Sequence, residues 1–266
     1  ATRAIRTLRP DVIVGFVTPH EDPDSVAGVC DLAIGPDETA RASGIVAAAR
    51  SMGARNLVHY SFPRDLARPL LARQRELLRT ESARRGMRFQ PVTSPDPAGN
   101  EGPEAARDFV SKDVPRQFQR LGPATAFYAT SDAMQEPLIR TLLALRTGYL
   151  VEQALPAPTA GYPAALDVQV ASAPASVPDS LHDALRRRIA AAGMSGHFGT
   201  WTASVEGVAI RAMAALMMDA VEGRADLHDS TTVARYLAAE ARGPVRMRRS
   251  RPGADQWMIL LDRVTY

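Results

Sequence analysis

Polar side chains that could hold a small molecule follow the ends of several predicted strands. The loops at these points mix hydroxyls, carboxylates, one arginine and a few aromatic rings, a set that can bind a polar ligand by hydrogen bonds and stacking. The candidate ligand-binding residues are Thr18, His20, Glu21, Tyr60, Ser61, Arg64, Thr93, Ser94, Thr130, Ser131, Asp132, Gln135, Tyr162 and Trp201. Helix capping is an alternative role for those that stand where a predicted helix begins, namely Ser61, Thr130, Ser131 and Asp132.

Arg64 is the candidate for binding a negatively charged group of a ligand. Its planar guanidinium can hold a carboxylate or a phosphate with two parallel hydrogen bonds. The same group could instead pair with Asp65 or Glu136, and the interpretation then fails. Tyr162 and Trp201 also have two open roles, because each ring could stack on a ligand or pack beneath a loop.

Residues suited to acid–base catalysis are few. His20 and Glu21 are adjacent and Asp132 follows a predicted strand, so these groups could transfer protons in an enzyme. His59 lies inside a predicted strand and is expected to be a hydrogen-bonded core residue. The sequence contains no GxGxxG after a strand, no GxxxxGK[ST], no GxSxG and no HExxH. We therefore favour binding over catalysis and predict no catalytic residues and no cofactor.

The composition is that of a globular chain. Of its 266 residues 45% are hydrophobic and 23% are charged, and no stretch approaches the ~20 apolar residues that span a bilayer. Cys30 is the single cysteine, which excludes an internal disulfide framework and a multi-cysteine metal site; we predict no metal. The net charge is +3, and 31 of the 32 basic residues are arginine. Most arginines alternate with acidic residues on predicted helices, so we predict no nucleic-acid partner.

Strands and amphipathic helices alternate along most of the chain, and this pattern predicts an α/β fold with parallel strands and right-handed crossovers. Short apolar runs predict strands at residues 11–17, 32–35, 56–60, 87–93, 124–129 and 165–170. A terminal hairpin is predicted from residues 245–249 and 256–261. In parallel sheets ligands bind beyond the carboxyl ends of the strands, which is where most of the candidate residues lie.

Several motifs resemble a bacterial protein family of unknown function with a type I periplasmic-binding-protein-like fold. Many members of that family look like exported lipoproteins. The resemblance extends from about Ile5 to Gly223 and rests on TPHEDPD at Thr18–Asp24, VHYSFPR at Val58–Arg64, TSPDP at Thr93–Pro97, AMQEPLI at Ala133–Ile139, and GMSG at Gly193–Gly196 followed by GTW at Gly199–Trp201.

The resemblance implies two Rossmann-like lobes with parallel sheets around a cleft. The first, N-terminal lobe would hold residues 1–37 and 196–223, and the second would hold residues 38–195. Residues 224–266 would form a helix and a short hairpin to which no lobe is assigned. Family members carry further βα units before the point at which this sequence starts, so the first lobe is expected to be truncated at its N-terminus.

The function that the resemblance implies is solute binding, in which two lobes close on a small polar ligand. Arg64 and the hydroxyls would suit a carboxylated or phosphorylated metabolite, and a membrane transporter or a sensor would recognise the closed form. The resemblance implies a periplasmic or extracytoplasmic lipoprotein, whereas residues 1–10 do not have the pattern of a signal peptide, which leaves a cytoplasmic location open. The alternatives are an enzyme on the same scaffold that uses His20, Glu21 or Asp132, and a ligand-sensing regulatory domain.

Overall fold

The chain forms two compact units. A computed structural model describes residues 2–19, 23–26, 28–152, 157–170 and 178–266. The first unit consists of Ala1–Asp37 and Ala203–Asp262, and the second consists of Glu38–Thr202 and Arg263–Tyr266. The backbone therefore passes between the units three times. Residues 196–202, which we expect in the first lobe, fall in the second unit, and the hairpin of residues 245–261 falls in the first.

Within the described residues the strands are short. They are β1 (Gly15–Val17), β2 (Leu32–Pro36), β3 (Asn56–Ser61), β4 (Arg88–Thr93), β5 (Thr125–Ala129), β6 (Tyr149–Leu150), β7 (Gly199–Trp201), β8 (Val245–Arg249), β9 (Gln256–Leu261) and β10 (Arg263–Thr265).

Helices occupy most of the chain between these strands. They are α1 (Thr2–Leu8), α2 (Pro23–Val26), α3 (Glu38–Ser51), α4 (Pro63–Leu66), α5 (Pro69–Arg84), α6 (Gly102–Leu121), α7 (Gln135–Leu145), α8 (Tyr162–Ala165), α9 (Asp179–Ala191), α10 (Val205–Val221) and α11 (Ser230–Ala241), with a 3₁₀ turn at Asp132–Met134 before α7.

The first unit is built on a four-stranded sheet in the order β1-β2-β9-β8. Strands β1, β2 and β9 are parallel, and β8 pairs antiparallel with β9, which confirms the predicted terminal hairpin. Helix α10 contacts the sheet and buries Val208, Ala212 and Leu216. The Ser204 hydroxyl caps this helix by accepting a hydrogen bond from the backbone N–H of Gly207, as expected of serine at a helix start.

The second unit contains a parallel sheet in the order β4-β3-β5-β6. Successive residues of β3 point to opposite faces: Leu57 packs with Ile45 of α3 and Leu78 of α5, whereas Val58 packs with Leu138 of α7. Because helices cover both faces, the central strands β3 and β5 are buried along almost their whole length and do not alternate between buried and exposed residues. The predicted α/β fold with parallel strands is confirmed.

Two predicted strands are corrected by the structure. The strand predicted at residues 165–170 is wrong, because α8 ends at Ala165 and Pro163 in its first turn favours helix. The strand predicted at residues 11–17 is shortened to β1. The backbone N–H of Val14 donates to the Asp31 carboxylate and is therefore not available for a strand ladder.

None of the helices in the described part of the chain has both the length and the apolar character needed to cross a membrane.

Candidate functional site

Three loops meet at the carboxyl edge of the second unit's sheet, where β3, β4 and β5 end. The backbone N–H of Ser94 donates to the carbonyl of Ser61 at 2.9 Å, and that of Thr130 donates to the carbonyl of Tyr60 at 3.1 Å. Strand register places Thr93 beside Ser61. We call the polar residues of these loops the edge cluster: Ser61, Arg64, Asp65, Thr93, Ser94, Asp96, Thr130, Ser131, Asp132 and Gln135.

Arg64 is held by Asp96, which is neither of the two partners expected from the sequence. Its Nε and Nη2 atoms donate to the two Asp96 carboxylate oxygens at 2.7 and 2.8 Å. This pairing lowers the pKa of Asp96 to about 2. Glu136, the partner expected as an alternative, is bound instead by Arg107 and Arg140. The two parallel donors of Arg64 are therefore engaged, and an anionic ligand would have to displace Asp96.

Asp65 adds a buried carboxyl group to the edge cluster. The residue is 7% exposed, and the Thr130 hydroxyl hydrogen-bonds its side chain. Burial raises the pKa of Asp65 above its ordinary value, and the bond from Thr130 and the nearby Arg68 act in the opposite direction. A carboxyl in this position can accept hydrogen bonds from a ligand without forming a tight ion pair of its own.

Gln135 has an unused acceptor. The side chain is 1% exposed, and its Nε2 donates to the carbonyl of Ser131 at 2.9 Å and, more weakly, to that of Ala129 at 3.4 Å. Its Oε1 has no hydrogen-bond partner among the described residues. A buried carbonyl oxygen without a donor costs about 1–3 kcal/mol, so this atom is suited to receive an N–H or O–H from a bound molecule.

The three predicted aromatic ligand contacts are buried in the protein interior. Tyr60, Tyr162 and Trp201 are each less than 2% exposed. The Tyr60 hydroxyl donates to Asp113 at 3.0 Å, and the Tyr162 hydroxyl donates to the carbonyl of Gly199 at 2.8 Å. Burial raises the pKa of both tyrosines. Of the two roles left open by the sequence, packing therefore describes Tyr162 and Trp201 in this structure.

The remaining predicted residues belong to the first unit. Thr18 follows β1, and its backbone N–H donates to the carbonyl of Ile34 at 2.7 Å. Its φ of 49° is unusual for a β-branched residue. His20 and Glu21 lie outside the described residues, so the structure describes nothing of the acid–base group predicted there.

A buried ionic cluster around Glu152 was not predicted from the sequence. Glu152 is fully buried and accepts hydrogen bonds from Arg41 Nε at 2.5 Å and Trp201 Nε1 at 2.9 Å. Arg263 Nη2 lies 2.5 Å from Oε2, the carboxylate oxygen that also accepts from Trp201. Arg41 also pairs with Glu38 at 3.2 Å. These residues come from distant parts of the chain and fix one another inside the second unit.

One sequence signal could have indicated this cluster. Glu38 and Arg41 fall on the same face of α3 as Ala42, Ile45 and Ala49, and all five are buried. Two opposite charges among the apolar residues of one helix face indicate buried partners, because an isolated buried charge is costly. No short motif contains Glu152 itself.

Among the described residues, no group of three or more histidine, cysteine, aspartate or glutamate side chains could hold a metal ion.

Comparison with known proteins gives a family match and a clear structural likeness. A family model described as "Protein of unknown function (DUF3798)" matches residues 1–199. Two uncharacterized proteins of Treponema pallidum (strain Nichols) are 32% identical over 139 residues and 36% identical over 99 residues. These matches cover 52% and 37% of this chain, and 64% and 45% of the relatives. The chain thus spans less than two thirds of either relative.

Among solved structures, a putative transcriptional regulator from Clostridium difficile 630 matches with a TM-score of 0.87 at 18% identity, over 100% of this chain and 75% of that one. A weaker likeness is to a LacI family transcriptional regulator from Bifidobacterium animalis subsp. lactis, with a TM-score of 0.47 at 12% identity, over 84% of this chain and 66% of that one. Another is to a periplasmic ribose ABC transporter from Conexibacter woesei, with a TM-score of 0.37 at 16% identity, over 57% of this chain and 48% of that one. The likeness to the Clostridium difficile structure shows that the two proteins share a fold.

Proposed function

The chain belongs to the DUF3798 family, and from this premise we propose that it binds a small polar solute at the edge cluster of its second unit, as part of a transport or sensing system. The observation that carries the proposal is the buried Gln135 Oε1, an acceptor without a donor at the carboxyl edge of a parallel sheet. That edge is where α/β folds bind ligands. The family resemblance of the sequence motifs also implies solute binding.

The composition of the edge cluster favours a ligand rich in hydrogen-bond donors. Asp65 and Gln135 offer acceptor oxygens, and the hydroxyls of Ser61, Ser94 and Thr130 can accept as well as donate. Arg64, the one candidate for binding an anion there, is engaged by Asp96. A carboxylated or phosphorylated ligand therefore remains a second form of the proposal, one that requires the Arg64–Asp96 pair to open.

A thermal-shift screen against sugars, polyols, amino acids, nucleosides and organic acids tests the proposal. A compound that binds only the folded protein stabilises it by about 2.7 kcal/mol at a concentration of a hundred times its Kd. We expect at least one class to raise the Tm, and Gln135→Leu to abolish that shift. Gln90→Leu is the matched control, because Gln90 lies on β4 and its Nε2 donates only locally to the carbonyl of Pro91.

The outcomes separate the two forms of the proposal. If the compound is anionic, Arg64→Gln should abolish its effect, whereas binding of a neutral ligand should survive that change. No shift with any class, or an equal shift in wild type and Gln135→Leu, would contradict binding at the edge cluster.

The location and the partners of the protein are also part of the proposal. We place it outside the cytoplasm, as a lipoprotein that delivers its solute to a membrane transporter or reports it to a sensor. The support is the family resemblance stated above. Membrane fractionation of the protein expressed from its own gene, combined with labelling by radioactive palmitate, tests this. A soluble cytoplasmic protein without label would contradict it.

A further inference from the structure

The outer side of strand β8 is an open edge of the first unit's sheet. Among the described residues β8 pairs with β9 alone. The backbone N–H of Ser250, directly after β8, donates to the carbonyl of Gln256 at 2.9 Å. Because hydrogen-bonded and non-hydrogen-bonded pairs alternate along an antiparallel ladder, Arg246 and Arg248 direct their backbone groups towards β9. The other residues of the strand direct theirs away from it, namely Val245, Met247 and Arg249.

The outward backbone groups of β8 are almost free of partners. Among the described residues the three outward N–H groups donate to no acceptor. The outward carbonyls accept one long bond, from Arg248 Nη1 to the carbonyl of Arg249 at 3.4 Å. We call this free side of Val245–Arg249 the β8 edge. Such an edge can hydrogen-bond an extended segment, which then continues the sheet by one strand.

Strand β4 of the second unit shows how this chain closes an edge. β4 is the last strand of its own sheet, and the N–H groups of Arg88 and Ser94 donate to the segment that contains β3. Pro91 is an odd number of residues from both, so its nitrogen faces outward, where it cannot donate. Its carbonyl accepts from Gln90 Nε2 at 2.9 Å. The β8 edge, in contrast, contains no proline.

The charge of this region favours an acidic partner. Residues 242–251 contain five arginines and no acidic residue. Arg246 is exposed and has no ion pair among the described residues. Two of the other arginines already pair with acidic side chains of the first unit, Arg248 and Arg249. Arg246 is therefore the residue of β8 that is available to an acidic side chain.

A second copy of this chain is a poor partner for the β8 edge. An antiparallel pair of β8 strands centred on Met247 would set Arg246 opposite Arg248. Like charges directly opposite each other in neighbouring strands are destabilising. The arginines therefore act against self-association of this edge and leave it open to a strand of opposite charge.

We propose that the β8 edge binds an extended acidic segment of a partner protein as an added strand. The backbone of the segment pairs with the outward groups of β8. Val245 and Met247 share one face of the strand and are partly buried, whereas Arg246 is exposed on the other face. Apolar side chains of the segment lie beside the first two residues, and a glutamate or aspartate lies beside Arg246. The surface belongs to the first unit and does not depend on the edge cluster.

Fluorescence anisotropy with a labelled peptide of about eight residues, alternating glutamate and valine, tests this surface. The same peptide with every backbone nitrogen methylated has the same charge but cannot donate to the edge. We expect methylation to weaken binding by about tenfold or more, because several ladder hydrogen bonds are lost. A peptide of alternating lysine and valine should also bind at least about tenfold more weakly.

Met247→Pro removes the central outward N–H and should weaken binding of the glutamate–valine peptide by about fivefold or more. Proline is tolerated at an outward position of an edge strand, as Pro91 shows, so we expect this variant to fold; its Tm checks this. Arg246→Glu reverses the free charge and should weaken binding by about tenfold. Arg88→Glu, at an exposed position of β4, is the matched control and should stay within about threefold of wild type.

Amide hydrogen exchange distinguishes an added strand from attraction by charge alone. The outward N–H groups should exchange rapidly in the free protein and at least about tenfold more slowly with the peptide bound. The N–H groups of Arg246 and Arg248 already face β9 and should change less. This measurement on the wild-type protein decides the proposal even if Met247→Pro does not fold.

The proposal is overturned if the glutamate–valine peptide does not bind at about 1 mM, or if its methylated form binds equally well. It is also overturned if the outward N–H groups exchange at the same rate with and without the peptide. Binding of a short single-stranded DNA as tight as that of the peptide would show attraction of any polyanion, and would overturn it as well.

Discussion

His59 shows how residue type alone predicts burial but not partners. Its position inside a strand indicates a core residue, and it is 1% exposed, with its ring stacked on Tyr128 at a centroid distance of 5.4 Å. The expected hydrogen bonds are missing: neither ring nitrogen has a partner among the described residues. Neighbouring strands decide which polar groups face a buried side chain. The sequence around one residue does not show which groups those are.

The buried His59 imidazole should make stability depend on pH. Burial, with a contribution from Arg75, lowers its pKa from 6.5 to about 3. The imidazole binds a proton more tightly in the unfolded chain than in the folded one. The contribution of neutral His59 to the free energy of unfolding is therefore fully present above pH 6.5 and is lost as the pH falls towards 3. The loss is at most about 1.4 kcal/mol per pH unit.

Urea denaturation between pH 7 and pH 4 measures this effect. His59→Phe keeps an aromatic ring in the stack. It should remove the part of the change in unfolding free energy with pH that is due to His59. His228→Gln, at an exposed position, is the control and should leave the pH dependence due to His59 unchanged. An identical pH slope in wild type and His59→Phe would show that His59 does not titrate on unfolding.

At the scale of elements, the sequence predicts the buried strands well and the short ones poorly. Strands β3 and β5 follow from short, mostly apolar runs, and their pairing in the sheet confirms the parallel arrangement. Strands β6, β7 and β10 have only two or three residues, too few to show a period. β7 is defined by pairing with β10, whose residues lie more than sixty positions later in the chain.

Gly199 is required where β7 passes the segment after β6. A Cβ at this position would overlap the carbonyl oxygen of Val151, and a backbone atom cannot move aside easily. We expect Gly199→Ala to destabilise the second unit by about 1–3 kcal/mol or more, the range for overpacked sites.

Gly243→Ala is the matched control, because nothing lies within 4 Å of a Cβ there. It should be neutral or stabilise by up to about 1 kcal/mol, since alanine restricts the unfolded chain. Denaturant midpoints of the two variants give the comparison. Equal stability of Gly199→Ala and Gly243→Ala would contradict the close approach of β7 to Val151.

At the scale of the whole molecule, the chain is divided into two units that each bury their own core. Multi-unit proteins often unfold in more than one step, and calorimetry can assign each step to a unit by mutation. The ionic cluster around Glu152 lies wholly in the second unit, so changes there should act on that unit's transition.

Glu152→Gln should strongly destabilise the second unit. The change removes the charge that faces both Arg41 and Arg263, and breaking a buried ion pair on one side costs about 3–5 kcal/mol. Glu76→Gln is the control, because Glu76 pairs with Arg79 on the exposed surface and such a pair contributes about 0–1 kcal/mol. Differential scanning calorimetry measures both, and a loss below about 1 kcal/mol for Glu152→Gln would contradict the inferred role of the cluster.

The sequence by itself determined the α/β class, the central strands and the position of the hydroxyl-bearing loops, because these follow from periodicity over a few neighbouring residues. Tertiary structure decided the rest of the candidate site. It directed Arg64 to Asp96, buried Tyr60, Tyr162 and Trp201 in the interior, and left Gln135 Oε1 without a donor. These outcomes depend on contacts between residues tens of positions apart. The packing of strands and helices determines such contacts, and local sequence patterns do not predict them.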